Sequence, residues 1–294
     1  MRMPIRLFAV LMCVAGFAQA DVTLVHVHGL SYSADGKRLM IPVHFGLAIY
    51  ENGKWKKAAG PEHDYMGFSG TARHIYSSGH PAPGSGLVNP FGLLRSSDGG
   101  KTWDKLGLEG ESDFHLMAAG WNSNAVYVWN GEPNSRMRAS GLYYTVNDGF
   151  AWRRVGANGL AGDLRAIAVH PDEAAIVALA TSQGLYLSRD HGERFVRLGT
   201  GASFAPFFDL DGTFLWYATL GNSGLRLARL PLDKGQREEF RLPPLQEDAV
   251  AFMAQNPTEK SEYAIATFQR NVYVTNDGAR SWKQIARRGQ TSLE

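Results

Sequence analysis

Cysteine is almost absent: the 294-residue sequence has one, Cys13, and it lies within the first twenty residues. With no second thiol the chain forms no internal disulfide and offers no multi-thiolate metal site. Its stability must come from a buried core, which a chain of this length can supply. Long apolar runs are missing too. The stretch from Leu7 to Phe17 falls short of the roughly 18 residues that a membrane span needs. Charge of one sign is not in excess, with 30 Lys and Arg against 28 Asp and Glu and no basic run. This balance removes the electrostatic case for binding nucleic acid or an anionic membrane. Beyond residue 20 no segment carries the 3.6-residue apolar period of an amphipathic helix.

The first twenty residues read as a secretory leader. Arg2 and Arg6 precede the apolar stretch, and Ala18-Gln19-Ala20 forms a small-x-small cleavage site. Met12 stands before Cys13 where a lipoprotein signal has a small residue, so soluble export to the periplasm or the medium is expected. Cleavage after Ala20 removes the only cysteine and lowers the basic count from 30 to 28, equal to the acids. Residues 21–294 are expected to form one domain.

Within it a short motif returns at a near-constant interval. Ser97-Asp98-Gly99-Gly100-Lys101-Thr102-Trp103 is echoed by 147–152, which ends on Trp152, and by 276–282, which ends on Trp282. Residues 188–195 close on Phe195, a shortened copy at 51–55 closes on Trp55, and a drifted copy at 233–240 closes on Phe240. The aromatics are spaced 48, 49, 43, 45 and 42 residues apart. Repeats of about 40–50 residues, each too small to bury its own core, indicate a propeller or solenoid. Six copies predict six units. Each unit reads as four short strands; in the fourth these are 164–169, 175–180, 184–188 and 195–198, separated by Gly, Asn, Asp and Pro turn signals. The Asp-Gly turns use Gly for φ > 0 and Asp to accept turn amides, and the closing Trp anchors neighbouring sheets. The fold class expected is all-β, a six-bladed propeller of four-stranded antiparallel blades.

Residues Ser96 to Trp103 resemble the Asp-box, or BNR, repeat, Ser-x-Asp-x-Gly-x-Thr-Trp. Its members include sialidases, the sortilin ectodomain and the photosystem II assembly-factor propeller. The runs His26-Val27-His28-Gly29-Leu30, Asp64-Tyr65-Met66-Gly67-Phe68, 78–85 and Asp113-Phe114-His115-Leu116-Met117 resemble an exported bacterial family labelled glycosyl-hydrolase-like or sialidase-like. That label follows the fold and carries little about activity.

The repeat frame sorts the nine histidines. His28, Met66, His115 and Arg165 take one equivalent position near the start of the innermost strand. Two residues earlier stand His26, Asp64, Asp113 and Asp163, with Asp248 in the sixth unit, so the two sets form adjacent layers. His63 precedes the second inner strand, and His44 and His80 end second strands. Six histidines (26, 28, 44, 63, 80 and 115) are therefore expected on the top of units one to three. His74, His170 and His191 map elsewhere. The same sector carries two long connections, 79–90 and 130–141, of the kind that form binding rims.

Imidazoles with carboxylates and a nearby thioether form a ligand set for a transition metal, copper if Met66 or Met117 takes part and zinc next. His28, His44, His80 and His115 are the leading ligands. His26 and His63 serve as ligands or supports, and the i−2 aspartates can hold imidazole N–H groups. No nucleotide or organic cofactor is indicated. Two other functions compete. A glycosidase could draw its carboxylate pair from Asp64, Asp113, Asp163 and Asp248, with Arg165 facing an anionic sugar. Against it, Arg38-Leu39-Met40-Ile41-Pro42 breaks the Arg-Ile/Leu-Pro motif of sialidases, and no three-arginine clamp can be assembled. A protein-docking scaffold could use the two long connections, with Leu87, Val88, Phe91 and Met137 as apolar contacts.

Overall fold

The computed structural model describes residues 22–221 and 224–293. The leader expected over 1–20 lies outside them. Six four-stranded sheets, each a simple antiparallel meander, cover 31–57, 64–107, 117–154, 164–200, 203–240 and 250–286, and we number them blades one to six. Inner strands of successive blades touch, and blade one meets both blade two and blade six, so the ring closes. Among the described residues there is no helix. In blade four the strands are Leu164–Val169, Val177–Thr181, Gly184–Ser188 and Val196–Thr200, within two residues of the expected bounds.

The turns explain the repeat. In blade two Asp98 Oδ1 accepts the amides of Lys101 and Thr102, both at 3.0 Å, while Ser96 Oγ accepts the Gly100 amide at 2.9 Å. Asp277 of blade six repeats this with Arg280 and Ser281. Blade three departs from the expected register. There Asn147, not Asp148, takes the turn amide, that of Ala151 at 3.0 Å. Asp148 stands one place further on, at φ 56°, and its carboxylate is released to pair with Arg95 of blade two at 2.7 Å.

Aromatic and branched residues on facing sheets fill the gaps between blades, as in the cluster of Tyr127, Tyr144, Val177, Leu179 and Tyr186 between blades three and four. The seam between blades six and one is tied by the chain ends. Leu24 N–H donates to Gly289 O at 2.8 Å, Thr23 pairs with Gln290, and Trp55 Nε1 donates to Ile285 O at 2.8 Å. Around the axis the inner strands leave a channel of about 310 Å³. One end is edged by His28, His115, Arg165 and Phe268, the other by Trp121, Pro171, Leu210 and Gln255.

Candidate metal centre

Five of the six predicted histidines, with Asp113, gather as two groups of three donors rather than one set of four. In the first, ligand atoms of His26, His28 and His44 lie within 4.8 Å of one another; in the second, those of His80, Asp113 and His115 do. His26 and His28 sit on the strap that leads from the ring seam into blade one, and His44 follows the second strand of that blade, Leu39–Val43. The His28 amide donates to Pro42 O at 3.2 Å, which sets the strap beside that strand. The three rings are in contact, with centroids 4.3 Å apart for His26 and His44 and 5.3 Å for His28 and His44.

Asp64 separates the two groups. It opens the inner strand of blade two and is paired in register with His80. Its Oδ2 lies 2.7 Å from His44 Nδ1, and its Oδ1 lies 3.6 Å from His28 Nε2. A carboxylate accepting from Nδ1 leaves Nε2 as the nitrogen of His44 that can bind a metal. His28 Nε2 and Asp64 Oδ1 are closed off from solvent and have no hydrogen-bond partner. Burial pushes His28 down to about 4, so its ring is neutral at pH 7 and keeps a lone pair for coordination.

The second group converges on one atom. Asp113 Oδ2 meets His80 Nε2 at 3.0 Å and also contacts His115 Nε2. Asp113 Oδ1 is buried without a partner. His80 Nδ1 lies 2.7 Å from Asn89 Oδ1, which orients the ring from the 81–92 connection. The hydrogen bond to Asp113 raises His115 above the ordinary imidazole range.

Local backbone features bring blade three against blade two here. Gly67 lies in a bulge of the inner strand at φ 43°, and a Cβ there would sit 1.9 Å from the Phe114 carbonyl oxygen. Only glycine lets the 113–115 segment approach the bulge of blade two so closely. Buried Ser78 pins that segment, with its Oγ accepting the Phe114 amide at 3.0 Å and donating to Gly92 O at 2.7 Å.

His63 stands apart from both groups. Its Nδ1 accepts the Ala82 amide at 3.0 Å and its ring packs on Phe91 at 5.0 Å, so it holds the 81–92 connection. An imidazole accepting at Nδ1 carries its proton on Nε2, and burial lowers the pKa of His63, in keeping with a neutral ring. Of the methionines, Met117 packs in the core between blades two and three, and Met66 is half-buried on the inner strand of blade two. His74 contacts Ser97 Oγ, His170 is buried beside Gly212, and His191 stacks on Tyr144, all away from the site.

The alternative carboxylates are placed as follows. Asp64 and Asp113 are engaged by imidazoles, Asp163 is exposed with Ser182 Oγ at 3.5 Å, and Asp248 accepts the Ala249 and Gln269 amides. Arg165 is exposed on the channel rim, its guanidinium 4.6 Å above the Phe204 ring. Of the four apolar residues expected on the long connections, Leu87 and Val88 are exposed while Phe91 and Met137 are buried. Sequence spacing did not single out Asp113 as a donor equal to the imidazoles, although its i−2 relation to His115 was the available signal.

No protein-family model matches the chain, and no curated protein sequence matches it. Solved structures do. A GH74 enzyme of Niastella koreensis is similar over 91% of this chain and 47% of its own, with TM-score 0.57 and 16% identity. YCF48 bound to D1 peptide is similar over 89% and 82%, with TM-score 0.50 and 18% identity. A chain of a nidogen/laminin complex is similar over 85% and 92%, with TM-score 0.61 and 14% identity. This chain spans about half the length of the GH74 enzyme it matches. The likeness at these identities is one of fold, the β-propeller.

Proposed function

We propose that the protein is an exported, non-catalytic propeller that binds a transition metal on the top of blades one to three. The observation that carries this reading is the pair of three-donor groups flanking Asp64, with His28 Nε2, Asp64 Oδ1 and Asp113 Oδ1 buried and unpartnered. His26, His28 and His44 supply a three-imidazole set, and His80, Asp113 and His115 a set of two imidazoles and a carboxylate. Each is complete in nitrogen and oxygen. Such donors suit zinc and copper(II), and the argument for copper that rests on a thioether loses its force because neither set needs sulfur. Export to the periplasm or the medium, inferred from residues 1–20, suits a role in metal handling or delivery. Elemental analysis of untagged protein after metal loading and desalting tests the reading. One or two equivalents are expected in the wild type and less than a tenth in a His28→Ala/His115→Ala double variant; equal metal in both overturns it.

A docking role is compatible with metal binding. Phe45 is exposed beside His44, with ring centroids 6.4 Å apart, and Leu87, Val88 and Trp129 are also exposed. YCF48 bound to D1 peptide and the nidogen/laminin complex are propeller neighbours that engage a peptide or a protein. Recovery of a partner from an extracytoplasmic extract, lost on Phe45→Ser and Val88→Ser, is the expected result. A glycosidase has less support, because the two half-buried carboxylates at this rim, Asp64 and Asp113, are engaged by imidazoles. No turnover of a fluorogenic sugar panel is expected. Turnover that Asp113→Asn abolishes would revive it.

A further inference from the structure

Opposite the histidines the channel rim carries a cation with no counter-charge. Arg165 belongs to blade four, which in a closed ring of six lies across the axis from blade one and His28. Among the described residues no carboxylate pairs with Arg165; its guanidinium rests on Phe204, which in turn meets the exposed Phe268 edge-on, with centroids 5.9 Å apart. Among the described residues it is the only permanently charged one that lines the channel. Below it the wall is apolar, with Phe68, Met117, Ile167, Phe207, Phe252 and Met253 among its residues. Small side chains on several inner strands, including Ala119, Ala166 and Ala251, keep the bore open.

We propose that this channel is a binding site for a small organic anion, a carboxylate with a slender apolar body. The carboxylate is held by Arg165 at the rim, and the body descends along the axis. The two halves of the site specify the two halves of the ligand. An apolar bore of about 310 Å³ is within the ordinary range of ligand pockets and excludes a charged or heavily hydroxylated body, whose polar groups would lose water without gaining partners. The unpaired guanidinium at its mouth offers a charge-assisted, bidentate contact that a neutral ligand of the same shape cannot use. The aromatic pair Phe204 and Phe268 fixes the guanidinium over the opening and walls its outer side. The site shares a rim with His28 and His115 but does not depend on a metal there.

Isothermal titration of the protein with sodium octanoate, and with 1-octanol as the uncharged analogue, tests the proposal. Saturable 1:1 binding of octanoate is expected, at least tenfold tighter than that of octanol. Arg165→Gln, an exposed position that the fold does not need, is expected to weaken octanoate at least tenfold and to leave octanol unchanged. Ala119→Leu, which narrows the bore, is expected to weaken both ligands, with its fold verified by an unchanged β-sheet circular dichroism spectrum; Ala166→Leu serves should the first variant not fold. Octanoate affinity is expected to be the same after chelation, so a failed metal reading leaves this result standing. Equal octanoate affinity in wild type and Arg165→Gln, full affinity in a folded narrowed variant, loss of binding on chelation, or no saturable binding at millimolar octanoate would each overturn it.

Discussion

Asp64 shows how one side chain can organise a site without binding in it. By accepting from His44 Nδ1 it fixes the ring and raises the basicity of the other nitrogen. Asp64→Asn keeps the shape and removes the charge, and is expected to lower metal affinity by about 10- to 100-fold with the stoichiometry preserved. Competition with a chromophoric chelator measures this, and unchanged affinity would show that Asp64 has no supporting role. A second carboxylate, remote from the site, is buried for structural reasons. Asp209 is 4% exposed and accepts from Trp216 Nε1 at 2.7 Å and Tyr263 OH at 2.9 Å. Burial pushes it up to about 6 from an ordinary 3.8. The folded state therefore binds this proton more tightly than the unfolded state, so the group favours folding below pH 3.8 and that advantage disappears as pH rises to 6. Asp209→Asn keeps an acceptor and removes the charge. It is expected to stabilise the protein by about 2–3 kcal/mol at pH 7.5 and by little at pH 4, as read by urea unfolding.

Strands and turns divide the work differently. Side-chain-capped turns end the third strand of blades two, three, four and six on the face away from the site, and they set the register without entering the chemistry. The inner strands do enter it, through bulges. Gly67 permits contact between the bulge of blade two and the 113–115 segment. Gly67→Ala meets both a positive φ and a backbone oxygen that cannot move aside. A destabilisation of about 2–4 kcal/mol is expected in urea unfolding, with the His80, Asp113 and His115 group losing metal first. The strap that carries His26 and His28 is held by the tail, through Leu24 to Gly289 and Thr23 to Gln290, and by blade six, where Arg270 Nη1 donates to Val25 O at 3.0 Å. Deleting 287–294 is expected to lower the thermal midpoint and to weaken metal binding by the first group more than by the second. Metal titrations of the truncated protein in the His80→Ala and His44→Ala backgrounds separate the two groups.

The closed ring makes ligand binding and folding one equilibrium. A metal that binds only the folded ring, at about 100 times its dissociation constant, adds about 2.7 kcal/mol to stability. Thermal unfolding with zinc is expected to show that gain, and the His28→Ala/His115→Ala variant to lack it. Acid should abolish it, because protons compete with the metal for imidazole. The metal-free ring has its own acid dependence. His28 is held near 4 by burial, below the 6.5 of an open imidazole, so the unfolded state binds that proton more tightly. Its contribution is complete above pH 6.5 and is lost as pH falls through 4. Asp209 acts in the opposite sense over an overlapping window, and the two partly cancel in the wild type.

Much of this architecture was legible in the chain because it is local. The turn at 96–103 needs its Ser, Asp, Gly and Thr within eight residues, so its six copies counted the blades and marked the strand ends. Blade three was misread by one place because the Asp-Gly pair was the guide; Asn147, two places after Thr145 and 2.9 Å from its hydroxyl, takes the turn, and Asp148 is left to pair with Arg95 of blade two. The same limit applies to the site. Repeat spacing placed six histidines on one rim, yet it could not tell which ring nitrogens meet. That was settled by contacts between residues far apart in sequence: the tail that positions His26 and His28, the Ala82 amide that occupies His63, and the glycine that admits Asp113. Likewise, Phe91 and Met137 were expected on exposed connections but are buried, because those connections fold back onto the blades. A turn is specified by neighbours along the chain, whereas a donor set is specified by neighbours across the ring, and closure of the ring alone brings those together.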